Sequence, residues 1–159
     1  MSNLSGNQKR KMRSLARLYS VQALFQLEHS GQSVDTVYCE FIEHRVGQEI
    51  DDGIVMAEGD TGLFYLLINQ AVNWQAKIDQ MIDHALVAKW PISRIDPTLR
   101  ALFRSAGAEL LECDTPPQVV ISEYVNIARS FYPEGKEAKF ANAILDHMAH
   151  EAKPEAFAN

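Results

Sequence analysis

Almost every periodic stretch of this 159-residue chain has helical spacing. Apolar residues recurring at three and four positions share one face of a helix, whereas a half-buried strand needs a period of two. The spacing therefore predicts an all-α fold. Ser5-Gly6-Asn7-Gln8 has the S-x-x-Q pattern of a capping box and predicts a first helix from about residue 6 to Glu28, ended by His29-Ser30-Gly31. Ser33 caps a second, Val34 to Arg45, with Val34, Val37, Tyr38, Phe41 and Ile42 on one side. Residues 46–59 have no clean period and read as a loop without a hairpin signal. Asp60 or Thr61 starts a long helical stretch to about Ala88, striped by Leu63, Leu66, Leu67, Val72, Ile78, Met81, Ile82 and Leu86, with a break near Asn73. Asp96-Pro97 is a strong restart, because the carboxylate accepts free amides and proline gives up a donor that would be unpaired. That helix runs to about Cys113. Thr115-Pro116-Pro117 opens one to Phe131, in which Val119-Val120-Ile121 continues at helical spacing. The last runs from Lys136 to His150. The expected architecture is one compact domain spanning 1–159, with six or seven helices and with residues 1–8 and 151–159 fraying.

Composition is ordinary for a globular protein, with 47% hydrophobic and 23% charged residues. No stretch of about 18 apolar residues exists to span a membrane. The start lacks the apolar region and cleavage site of a secretory signal. Its arginine-rich, acid-free character resembles a transit peptide, but the helical pattern continues unbroken through Val21 to Glu28, which reads as core. Cys39 and Cys113, far apart, read as buried thiols in a reducing cytoplasm.

The net charge of −6 argues against a nucleic-acid partner only as an average. The first 27 residues hold five cations (Lys9, Arg10, Lys11, Arg13, Arg17) and no acid, a charge of +5. The other 132 hold 10 cations against 21 acids, a charge of −11. On a helix Lys9, Arg10, Arg13 and Arg17 fall within an arc of about 100°, and Leu15, Leu18, Tyr19, Gln22 and Phe25 cluster roughly opposite. One helix can thus bury one side and present guanidinium groups on the other. Arginine's planar fork suits phosphate and stacks on unpaired bases, and the positive helix start adds to an anion site. A solvated stripe that aids solubility is the alternative.

Catalytic signatures are missing: no G-x-S-x-G, H-E-x-x-H or Walker loop occurs. Asp146, His147 and His150 could share a helix face around a metal, but no third ligand set is implied and solvated side chains are the simpler reading. Asp79, Asp83 and His84 read as a solvated face, and Asp51-Asp52 as loop solubility.

Several segments together resemble the NusB family of bacterial transcription antitermination factors. They are Ala16-Arg17 with Val21-Gln22-Ala23-Leu24-Phe25, Trp90 with Arg94-Ile95-Asp96-Pro97-Thr98-Leu99-Arg100-Ala101, Arg104 with Glu109-Leu110-Leu111, and Asp114-Thr115-Pro116. Val119-Val120-Ile121-Ser122-Glu123-Tyr124-Val125, Ala128, Phe131, and Gly135 through Asp146 follow in order. The resemblance implies two packed helical bundles and binding of single-stranded boxA RNA of ribosomal RNA operons. It implies pairing with NusE, a small-subunit ribosomal protein, within an RNA polymerase antitermination complex, and neither cofactor nor catalysis. By position it implies Arg10, Arg13 and Arg17 as phosphate contacts, supported by Lys9 and Lys11. Phe25, Lys136, Lys139 and Phe140 are implied near RNA, although either phenylalanine could be core instead. Arg100 is kept as a contact, and Arg104 is expected to be structural. Ala108 departs from a tyrosine common in the family, and Lys136 from an acid seen in some relatives. Two other readings stay open: an accessory module for an rRNA-modifying enzyme, and a structural helical homodimer.

Overall fold

A computed structural model describes residues 5–45, 49–50, 54–55, 60–86 and 95–158. Seven α-helices carry the described residues: α1 (Gly6–Ser30), α2 (Val34–His44), α3 (Thr61–Asn73), α4 (Gln75–Ala85), α5 (Pro97–Glu112), α6 (Pro117–Phe131) and α7 (Lys136–Ala152). A 3-10 turn, Pro154–Phe157, ends the chain. The stretch read as a loop contains a two-residue antiparallel pair, β1 (Glu49–Ile50) with β2 (Ile54–Val55), in register Glu49 to Val55 and Ile50 to Ile54. So short a ladder leaves no alternation for a sequence pattern to reveal. Trp90 and Arg94 lie outside the described residues.

The helices fall into two compact units, Met1–Asn69 and Gln70–Asn159, the division lying within α3. In the first, Tyr19 of α1 meets Phe41 of α2 and Phe64 of α3 edge-on, both at 6.0 Å between centroids. Phe41 and Phe64 are 5.5 Å apart, closing a three-ring core whose pairs each contribute about 1 kcal/mol beyond area burial. The buried Tyr19 hydroxyl makes no hydrogen bond among the described residues, and burial pushes its ionisation up against the opposing pull of Arg45. The Asp60 amide donates to the Met12 carbonyl at 3.2 Å, tying the start of α3 to the middle of α1's basic turns. Asp60 also caps α3, its Oδ1 accepting from the Leu63 amide at 3.0 Å.

The second unit packs α4 to α7 around Leu102, Phe103, Leu110, Ile78, Met81 and Tyr124, all fully buried. Arg104 grips Asp79 with two parallel bonds of 2.9 Å, so Arg104 is structural as expected, while Asp79 is an ion-pair partner rather than a solvated side chain. Ser105, Tyr124 and Glu109 form a buried polar chain, with Ser105 Oγ 2.8 Å from the Tyr124 hydroxyl. Ala108 is fully buried beside them in α5. Ser5 begins a formed capping box, and Lys153 donates to the Cys113 and Thr115 carbonyls while Phe157 stacks on His150 at 3.7 Å. Cys39 is exposed and Cys113 half-buried, not buried as expected. Cys39 sits two positions from both Val37 and Phe41, the residues α2 buries, and so points away from that face. Val72, expected in the stripe, is 42% exposed beside the break at Trp74.

Gly107 of α5 sets the α4–α5 spacing, since a Cβ there would lie 2.6 Å from Cγ2 and 3.1 Å from Cγ1 of the fully buried Ile78. Gly107→Ala is expected to lower stability by about 1–3 kcal/mol through overpacking, despite alanine's better helix propensity. Urea unfolding checks this, and a stabilised variant would contradict the close approach.

Candidate RNA-binding interface

The reciprocal bonds of the capping box order the first turn of α1: the Gln8 amide donates to Ser5 Oγ at 3.1 Å, and the Ser5 amide to Gln8 Oε1 at 2.8 Å. Lys9, Arg10, Lys11 and Arg13 follow, all exposed. None of these four side chains makes an ion pair or hydrogen bond among the described residues, and no acid stands in that first turn. Four cations thus crowd the positive end of a 25-residue helix.

Arg17 corrects the expected stripe. It shares the angular side of Lys9 and Arg13, yet it is 3% exposed and engaged within the protein. From Ala16 to Leu24 the buried positions of α1 span roughly 200° of the helix, so the face that is cationic at residue 9 is interior by residue 17. Phe25, for which a place near RNA and a place in the core were both open, is not core. It is 39% exposed and stacks on His29 at 4.3 Å, and the His29 Nδ1 lies 2.8 Å from the Phe25 carbonyl. His29 was not anticipated, although its four-residue spacing from Phe25 was readable.

The remaining candidates belong to the second unit. Lys136 is the first residue of α7 and Lys139 lies one turn on, both exposed, after Gly135 at φ 91° turns the chain into the helix. Phe140 is 37% exposed and packs edge-on against buried Phe103 at 6.1 Å, so it is anchored and presented at once. Arg100 is half-buried and donates from Nη1 to the Ile95 carbonyl at 3.1 Å, bracing the start of α5.

One carboxylate organises this end of the unit. Asp96 caps α5, its Oδ1 accepting from the Thr98 amide at 2.7 Å, and also accepts from the Tyr132 hydroxyl. Tyr132 stands in the turn leading to Lys136, so the start of α5 and the start of α7 are held together. Burial first, and then the bond to Asp96, push the Tyr132 hydroxyl up to about 12. No group of three or more metal-ligating side chains occurs among the described residues, and none of their helices is long and apolar enough to cross a membrane.

Because Tyr132 ionises less readily in the fold, its contribution to stability is fully present below pH 10 and lost as pH rises through about 12. Tyrosinate absorbance of Tyr132→Phe subtracted from that of the parent is expected to titrate near that upper value. A difference curve centred at the ordinary tyrosine pKa of 10 would remove the Asp96 bond.

Comparisons with known proteins place these features in context. The NusB family model matches residues 14–150. The transcription antitermination protein NusB of Caulobacter vibrioides is 45% identical over 151 residues, covering 94% of this chain and 99% of that protein. Among solved structures, NusB of T. maritima superposes with a TM-score of 0.71 at 29% identity, over 91% of this chain and 96% of that one. A complex of the antitermination factors NusB and NusE with dsRNA contains a chain of the same fold, with a TM-score of 0.70 at 22% identity over 90% of this chain and 97% of that one.

Proposed function

The chain belongs to the NusB family, and from that premise we propose that it is a cytoplasmic transcription antitermination factor that binds boxA RNA of ribosomal RNA operons together with NusE, as part of an RNA polymerase antitermination complex. The observation that carries the RNA-binding reading is the row of four exposed, unpaired cations on the first turns of α1, in a chain that is otherwise strongly acidic. The Caulobacter protein, matched over 99% of its length, is an antitermination protein, which favours this reading over an accessory module of a modifying enzyme.

Lys9, Arg10, Lys11 and Arg13 hold phosphates, with the helix dipole adding to their field. Arg17 supports them from inside as a positioning residue. Phe25 offers a ring face to an unpaired base, with His29 behind it. In the second unit Lys136 and Lys139 place two cations at the start of α7, and Phe140 supplies a second stacking surface braced by Phe103. Arg100 helps shape this end. Two exposed aromatics suit unpaired bases, because a duplex offers side chains no free ring faces. No step here is chemical; the protein binds and orients RNA.

Gel-shift of boxA RNA with and without NusE tests the assignment directly, and binding no tighter than to scrambled RNA would end it. Four phosphate contacts on α1 predict that log affinity falls against log salt with a slope of about −2.8 from this helix alone, at about −0.7 per contact for a single strand. Arg10→Ala with Arg13→Ala is expected to make the slope shallower by about 1.4 while far-ultraviolet circular dichroism stays unchanged. An unaltered slope would move the phosphate site off α1.

A further inference from the structure

An open groove of about 330 Å³ runs along α6 where α7 packs beside it. Its floor is Ile121 and Val125, and its rim is Gln118, Ser122, Asn126 and Arg129 of α6 with Asn142 of α7. On α6 these residues recur at three- and four-residue steps, so they form one continuous face. The volume lies at the lower end of small-ligand pockets, which run from roughly 300 to 1,000 Å³.

The lining holds no acid and one arginine, in a chain with 21 acids. The side chains of Gln118, Ser122 and Asn142 have no hydrogen-bond partner among the described residues. Arg129 donates from Nη1 to Asn126 Oδ1 at 3.1 Å. That bond uses the Asn126 oxygen as acceptor, which leaves its NH2 group as a donor alongside the remaining guanidinium donors. The groove also continues the cationic start of α7, because Asn142 follows Lys139 by less than one helical turn.

We propose that this groove reads one unpaired base of the bound RNA by its edge, with Arg129 and Asn126 donating to the carbonyl-bearing edge of a guanine or uracil and Asn142 completing the set. The inference rests on the RNA-binding reading above and adds where sequence is recognised. Phosphate contacts position a strand but carry no sequence information, whereas amide and guanidinium groups match base edges. Neutral amides over a two-residue apolar floor suit a base better than the large apolar anchor of a protein partner.

The test uses the full chain and a set of boxA oligonucleotides in which each guanine or uracil in turn becomes adenine or cytosine. For the parent protein, replacement at one or two adjacent positions is expected to weaken binding roughly 5- to 150-fold. Asn126→Ala with Arg129→Ala should erase that discrimination and leave the salt slope unchanged. Asn142→Asp, which keeps the side-chain shape but replaces two donors with a charged acceptor, should erase it too; thermal melting confirms that both variants fold. Retained discrimination in both variants overturns the proposal. So does a slope reduced by about 0.7 with discrimination intact, which makes Arg129 a phosphate contact, or a loss of NusE association with RNA binding unaltered, which makes the groove a protein interface. Failure of the parent to prefer boxA over scrambled RNA would instead remove the RNA reading itself.

Discussion

The burial of residues 16 to 24 of α1 is the constraint from which the first unit follows. Tyr19 meets Phe41 and Phe64 there, and Ala16, Val21 and Ala23 are fully covered. A helix sunk this deeply has no fully exposed residue from Ala16 to Leu24. Its cations are therefore useful only before the core begins, and the capped first turn holds them there. α1 divides its duties by turns along its length rather than by opposite faces.

The second unit solves a related problem with polar groups. Asp96 serves as helix cap and as acceptor for Tyr132, so a single carboxylate joins the starts of α5 and α7. Arg104 and Asp79 tie α5 to α4 with paired bonds, and Gly107 lets the same two helices close over Ile78. Together they give Lys136, Lys139 and Phe140 a rigid base. A flexible base would pay ordering entropy on binding and lose affinity.

Much of this was legible before any coordinates. Asp96-Pro97 announced α5 to the residue, because a carboxylate cap and a proline without an amide favour one local geometry whatever surrounds them. The Ser5–Gln8 box did the same for α1. Arg17 was misplaced because an angular projection gives every turn the same surroundings, whereas burial along α1 begins at Ala16 and takes in Arg17. Val72 failed in the opposite sense: an apolar residue at stripe spacing near a helix end can pass beyond the elements that would bury it. The groove on α6 was invisible because its rim combines two helices, and nothing in a linear pattern joins Asn142 to Asn126.

Sequence by itself determined the helical segments, the caps at Ser5, Ser33, Asp60 and Asp96, and the segregation of +5 from −11, since propensity, capping and charge act over a few neighbouring residues. Tertiary structure decided which cations remain in water, which aromatics show a face, and where amides from separate helices converge. Those outcomes depend on what packs against each residue, and burial is a property of the assembled chain rather than of any segment of it.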